Sequence, residues 1–162
     1  MFRIKINNNV LLGKIDYDDE TVAEAIHSTY PDYSYDISLW WNDFVIPLDR
    51  RGDISEMYND IIFMLTALKR NEQELSISFL SSTFTAEWFI QVESENLRIL
   101  PKWITVEFSN HQPCDNKEET ILIVPTVEFI NEWDNLLRII KNDLIKVGYS
   151  ENLEGFNYLK TL

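Results

Sequence analysis

The chain contains 162 residues, of which 45% are hydrophobic, enough for one core of ordinary domain size, so we expect a single domain over residues 1–162. Its 27 acidic and 14 basic residues give a formal charge of −13, and a surface of that sign repels phosphate backbones, which disfavours nucleic-acid binding. One cysteine allows no intramolecular disulfide, and the sequence shows neither an apolar leader nor an apolar run long enough to span a bilayer. We therefore expect a cytoplasmic protein without membrane association.

The N-terminal part of the chain shows the alternation of apolar and polar residues that is typical of half-buried strands. An asparagine-rich turn after the first strand favours a hairpin with the second. The predicted strands are Phe2–Asn7, Val10–Ile15, Tyr35–Trp41 and Phe44–Leu48. Between the second and third strands, helical spacing of apolar residues predicts a short helix at Asp18–Ser28, capped by Asp18 or Asp19.

Two long amphipathic helices are predicted, each with acidic residues early and basic residues late, as the helix dipole prefers. The first runs from Asp53 to about Arg70, and the spacing of Asp53 and Glu56 is that of a capping box. The second begins at Pro125 and Thr126 and ends near Gly148. Their charge order gives many of the acidic residues a structural explanation.

The segment between these helices alternates again and predicts a meander of short strands. These strands are Leu75–Phe79, Phe84–Val92, Asn96–Leu100, Trp103–Phe108 and Thr120–Val124, with Pro101 separating the third from the fourth. Strands and helices do not alternate strictly, so the class is α+β. We expect an antiparallel or mixed sheet of about seven strands with the two long helices packed on one face.

Few residues are suited to nucleophilic or metal chemistry. The chain has two histidines and one cysteine, and the closest pair, His111 and Cys114, lies in a polar loop without an orienting third group. Asp16–Glu20 resembles the start of a calcium loop but has Thr21 and His27 where that loop needs glycine and glutamate. No nucleotide-binding or hydrolase motif is present. The sequence therefore predicts a protein that is not an enzyme and that holds no metal or cofactor.

One stretch has an unbalanced charge, since no lysine or arginine lies between Lys14 and Arg50. Carboxylates and aromatic side chains coincide there, which is the composition of binding hot spots. We predict that the carboxylates steer and pair with a basic protein partner, and that Tyr17, Tyr33 and Trp40 anchor it. The predicted partner-binding residues are Asp16, Tyr17, Asp18, Asp19, Glu20, Asp32, Tyr33, Asp36 and Trp40.

Other interpretations apply to parts of this stretch. Tyr35 and Trp41 have the parity of core residues, and the carboxylates then form a solvated face. Trp40 has the opposite parity, so it is either covered by a helix or exposed for a partner. The loop around Asp115, Glu118 and Glu119 is a second candidate surface.

The chain resembles the immunity proteins that bacteria encode beside polymorphic or contact-dependent toxins, which are small, acidic, cysteine-poor α+β domains. The resemblance is one of type over roughly Leu39–Val147, and the segments that carry it include Leu39–Trp41, Phe79–Val92 and Glu128–Trp133. It implies that the protein occludes the active site of a cognate cationic toxin, often a nuclease. The alternatives are an acidic DNA mimic that acts as an inhibitor or adaptor of another nucleic-acid enzyme, and an enzyme or small-ligand module with a pocket between sheet and helices.

Overall fold

The computed structural model describes residues 1–113 and 117–162, with side chains from 119 onward in the second part. The strands there are β1 (Phe2–Ile6), β2 (Ile37–Trp41), β3 (Phe44–Leu48), β4 (Glu74–Leu80), β5 (Thr85–Glu93), β6 (Asn96–Thr105) and β7 (Leu122–Pro125). The α-helices are α1 (Val22–Thr29), α2 (Ser55–Lys69) and α3 (Thr126–Val147). A π-helical turn (Arg50–Ile54) precedes α2, and 3-10 turns lie at Lys117–Thr120 and Leu159–Thr161.

The seven described strands form two sheets, and every strand pair is antiparallel. One sheet has the order β1-β2-β3 and the other has the order β4-β5-β6-β7. The α+β class is therefore confirmed, whereas the single seven-stranded sheet is wrong, because the chain leaves the first sheet at β3 through the π-helical turn and α2. The helices also differ from the predicted pair on one face: α3 contacts β1 and β7, α2 contacts β4, and α1 packs against α2 and α3.

The predicted hairpin at the N-terminus is wrong. Val10–Ile15 has no strand conformation, and β1 pairs with β2 instead. In that register Phe2 lies opposite Trp41 and Ile4 opposite Leu39. The pairing places large apolar side chains next to each other, and this outweighs the local preference of the asparagine-rich turn for a hairpin.

The helix starts also differ from the sequence prediction. Thr21 caps α1 in a capping box with Glu24, so neither Asp18 nor Asp19 is the cap. Asp53 does not form the predicted capping box, because its Oδ1 accepts hydrogen bonds from Ser81 Oγ (2.5 Å) and Thr83 Oγ1 (2.6 Å). The chain instead enters α2 through the π-helical turn, a rare conformation that often accompanies functional sites.

Pro101 does not divide the middle of the meander into two strands. Asn96–Thr105 is one continuous strand, in which Pro101 lies opposite Trp88. The pairing with β7 extends only as far as Ile99, so Pro101 lies where β6 has become an edge strand, and proline is tolerated at an edge.

The two sheets share one buried aromatic cluster. Trp41 of the first sheet and Trp88 of the second have ring centroids 4.8 Å apart, and Phe129 of α3 lies 4.5 Å from Phe2. The Trp41 indole N–H also donates a 2.7 Å hydrogen bond to the carbonyl of Thr120. The sheets and α3 are therefore joined through large aromatic side chains, and Trp41 has its indole N–H paired as well.

Helix α3 ends at Gly148, whose backbone conformation favours glycine. Gly148 has φ 119°, a conformation that side-chain-bearing residues rarely adopt, although an added Cβ would lie 3.7 Å from Ile15 and meet no clash. We expect Gly148→Ala to lower the free energy of unfolding by about 1 to 2 kcal/mol through backbone strain alone. Urea denaturation measures this, with the exposed Lys146→Ala in the same helical turn as the control, and an unchanged midpoint for Gly148→Ala would contradict it.

Candidate partner-binding surface

The loop Asp16–Glu20, which we call the acidic loop, is held by its backbone and by Tyr149 near the end of α3. The Asp16 N–H donates to the Tyr149 hydroxyl (3.0 Å), and this hydroxyl donates to Asp19 Oδ2. The Asp18 N–H donates to Asp16 Oδ1 (3.0 Å). Asp16 and Asp19 therefore fix the loop, and they are less free to meet a partner than the sequence implies.

The remaining side chains of the acidic loop point to solvent. Tyr17 is 88% exposed, and Asp18 and Glu20 are exposed as well. Tyr17 borders a shallow groove of about 510 Å³ that is also lined by Lys14 and Lys146. A fixed backbone thus presents one aromatic ring between two free carboxylates.

Asp32 and Tyr33 lie beyond the other end of α1. Tyr33 is 68% exposed, its hydroxyl lies 3.0 Å from His27 Nε2, and the Arg51 guanidinium stacks 4.7 Å from its ring centre. Arg51 also donates to the carbonyls of His27 and Tyr30, both at 2.9 Å. Because α1 has eight residues, about 12 Å of helix separates this patch from the acidic loop.

Asp36 does not belong to the surface, and its prediction as a partner-binding residue is corrected. Its side chain is 7% exposed, and Asp36 Oδ2 accepts a 2.7 Å ion-paired hydrogen bond from Arg50 Nε. Asp36 Oδ1 accepts a second bond from the Arg50 N–H (3.1 Å). A carboxylate that neutralises a fully buried arginine has a structural role.

The aromatic residues in β2 and just before it differ in exposure, and one of them departs from the prediction. Trp41 is fully buried, in agreement with a core role, but Tyr35 is 53% exposed and donates from its hydroxyl to Glu107 Oε2 (3.1 Å). Trp40 lies on the opposite face from Trp41, as its parity predicts, and is half-buried with Lys5 Nζ 4.6 Å from its ring centre. Trp40 is thus partly shielded and contributes less free surface than Tyr17.

The second candidate loop is described only in part. Asp115, Cys114 and the Glu118 side chain lie outside the described residues. Glu119 is exposed, and its carbonyl accepts a 3.4 Å hydrogen bond from Asn42 Nδ2. The His111 ring packs 4.9 Å from the ring of Phe44.

Sequence reasoning missed a buried cluster of carboxyl groups at the π-helical turn. Asp49 accepts a 2.6 Å hydrogen bond from the Gly52 N–H, and the Asp49 N–H donates to Asp53 Oδ2 (3.0 Å). Burial raises the pKa of Asp49 to about 6, the negative charges of Asp53 and Asp36 act in the same direction, and the Gly52 N–H opposes them. The sequence signal for this cluster was a pair of aspartates, Asp49 and Asp53, which flank Arg50–Gly52 directly after the apolar run Phe44–Leu48.

These carboxyl groups do not line the larger grooves. A groove of about 670 Å³ borders the outer face of the four-stranded sheet, where Phe89, Leu100 and Lys102 line it. The void among Leu39, Met57 and other core side chains holds no water-sized space. The pocket expected of a small-ligand module between sheet and helices is therefore not found at these positions.

Within residues 1–113 and 117–162, no three His, Cys, Asp or Glu side chains are grouped to hold a metal ion. In the same part of the chain, none of the helices combines the length and the apolar character needed to cross a membrane. Comparison with protein-family models, with curated proteins and with solved structures finds no match for this chain.

Replacing Asp36 and replacing Asp32 should have different effects on the free energy of unfolding. We expect Asp36→Ala to lower the free energy of unfolding by about 3 to 5 kcal/mol, because Arg50 is left buried without its main counter-charge. Asp32→Ala, at an exposed position in the same acidic stretch, should change it by less than about 0.5 kcal/mol. Urea unfolding checks both variants, and equal effects would contradict the assignment of Asp36 to the interior.

Asp49 makes the stability depend on pH. Its pKa is higher in the fold than the ordinary value of 3.8, so its favourable contribution is complete below about pH 3.8 and is lost as the pH rises through about 6. Asp49→Asn keeps an oxygen for the Gly52 N–H and removes the charge. We expect this variant to unfold at higher urea than the wild type at about pH 8, with a smaller difference at about pH 5.

Asp43→Asn makes the same substitution at an exposed position and serves as the control, and its urea midpoint should stay close to that of the wild type at both pH values. A lower midpoint for Asp49→Asn at the alkaline pH would show that the Asp49 charge stabilises the fold.

Proposed function

We propose that this protein is an immunity protein that binds a cognate cationic toxin and neutralises it by blocking its active site. The observation that carries the proposal is the acidic loop, in which Tyr17 is 88% exposed between the free carboxylates of Asp18 and Glu20 on a backbone held by Tyr149. Such a loop loses little conformational entropy on binding, because the surrounding structure already orders it.

Charge supports a basic partner. A net charge of −13 raises the rate of encounter with a cationic protein and opposes encounter with nucleic acid. Asp18 and Glu20 are the carboxylates of the loop that have no side-chain hydrogen bond within the described structure. They therefore remain able to pair with lysine or arginine side chains of a toxin, where a nuclease would otherwise hold phosphate groups.

The aromatic side chains support a protein partner over a dissolved ion. Tyrosine is enriched among the residues that dominate binding energy at protein interfaces. Tyr17 and Tyr33 lie at the two ends of α1, and Arg51 and His27 already orient the second of them. An interface of standard size covers roughly 800 Å² per partner, so one toxin surface can reach both anchors across the ~12 Å helix.

The test uses the protein encoded beside this gene as the toxin, expressed from an inducible promoter in a bacterial host. We expect the wild-type chain to restore growth when it is co-expressed. The variant Asp18→Lys/Glu20→Lys should bind the purified toxin at least about tenfold more weakly, mainly through slower association, and should protect poorly. Tyr17→Ala should weaken binding mainly through faster dissociation.

The matched control is Glu93→Lys/Glu95→Lys, which makes the same change of charge at two exposed positions, one at the end of β5 and one in the β5–β6 turn. This control should retain protection and most of the affinity. Equal losses in both double variants would mean that only total charge matters, and full protection by the acidic-loop variant would exclude this loop as the binding surface. Failure of the wild-type chain to bind or protect would refute the proposed function itself.

A further inference from the structure

The outer face of the four-stranded sheet is apolar at its centre and open to solvent. Phe89 of β5 and Leu100 of β6 lie directly opposite each other and are 38% and 36% exposed. Ile123 on β7 extends this patch and is 60% exposed. The opposite face of the same strands carries the core residues, so these side chains are not needed to fill the interior.

Charged side chains on this outer face are sorted by strand. The carboxylates are Glu74 on β4 and Glu87 and Glu93 on β5, whereas the cations are Arg98 and Lys102, both on β6. Glu87 lies opposite Lys102 and forms an ion pair at 2.8 Å. The three carboxylates and two cations leave the face with little net charge, on a protein whose total charge is −13, and they divide it into an acidic half and a basic half.

We propose that this face binds a second copy of the chain, with the two sheets packed face to face. A two-fold axis parallel to the strands and midway between β5 and β6 places β5 of each copy over β6 of the other. Since residues opposite each other in the β5–β6 register lie at the same height along the strands, Phe89 then covers Leu100 of the second copy. The same operation places Glu87 over Lys102 of the second copy.

Charge complementarity is the reason that a second copy fits this face. Two copies of so acidic a protein repel each other wherever carboxylates face carboxylates, and the repulsion is weakest where the charges are balanced. The proposed axis sets Glu87 of each copy against Lys102 of the other beside an apolar centre, a combination that favours association. Aligned packing of twisted sheets at about 10 Å is also a common arrangement of exposed sheet faces.

The size of the face predicts a weak dimer. Four strands about 4.8 Å apart and about seven residues long at ~3.4 Å each cover a projected area of roughly 450 Å². Standard stable interfaces cover roughly 800 Å² per partner, so the dimer should form at high protein concentration and dissociate on dilution.

Sedimentation equilibrium at physiological salt, from micromolar to millimolar protein, tests the proposal. We expect the average mass of the wild-type chain to rise with concentration from the monomer towards twice that value. Phe89→Glu should raise the dimer dissociation constant by about tenfold or more, because it buries a charge at the centre of the interface. The matched control, Phe63→Glu on α2, changes a 58% exposed phenylalanine away from this face and should leave dimerisation intact.

A charge swap tests the orientation of the two copies. Glu87→Lys places like charges against Lys102 of the second copy and should weaken the dimer, and the double variant Glu87→Lys/Lys102→Glu should restore it. Circular dichroism confirms that each variant is folded, as expected for exposed positions. A wild-type chain that remains monomeric at millimolar concentration, or a dimer that is weakened equally by Phe63→Glu and Phe89→Glu, would overturn the proposal.

Discussion

The buried guanidinium of Arg50 is the contact on which the arrangement of the first sheet and its helices depends. Its Nε lies 2.7 Å from Asp36 before β2, and its Nη2 donates to the carbonyl of Asn7 after β1 (2.7 Å). Its Nη1 lies 3.5 Å from Asp143 of α3, and the ring of Tyr30 after α1 stacks 4.5 Å away. A charge with no exposure to water is tolerated only with its partners in place, so these elements must meet in one geometry.

That geometry also sets the position of the candidate binding surface. Arg51, the next residue, holds the end of α1 and supports the ring of Tyr33, whereas the start of α1 is joined by backbone hydrogen bonds to Glu154 in the C-terminal tail. Both ends of α1, near which the two exposed tyrosines lie, are therefore held by hydrogen bonds to other parts of the chain. None of these residues lies on the outer face of the four-stranded sheet, so a dimer formed through that face would carry two binding surfaces and gain avidity for a clustered partner.

The exposed part of the candidate site was predictable from the residue types along its own segment. Tyr17, Asp18 and Glu20 are exposed, and the sequence identified them because they lie in an acidic stretch that contains no lysine or arginine. Asp36 was not predictable, since its burial depends on Arg50, which meets it only across strands of the folded sheet. The raised pKa of Asp49 was missed for the same reason, because it arises from burial and from carboxylates brought together by the π-helical turn.

The sequence by itself determined the α+β class, the apolar faces of the two long helices and the parity of most strands, because periodicity reports which side of an element is apolar. Only the tertiary structure decided which elements pair. β1 pairs with the aromatic β2 and not with the adjacent Val10–Ile15, Pro101 lies within one continuous strand, and the strands form two sheets. The physical reason is that strand pairing depends on which side chains from distant parts of the chain are buried together, such as Trp41 and Trp88. Contacts of this kind leave no signal in the local spacing of apolar residues.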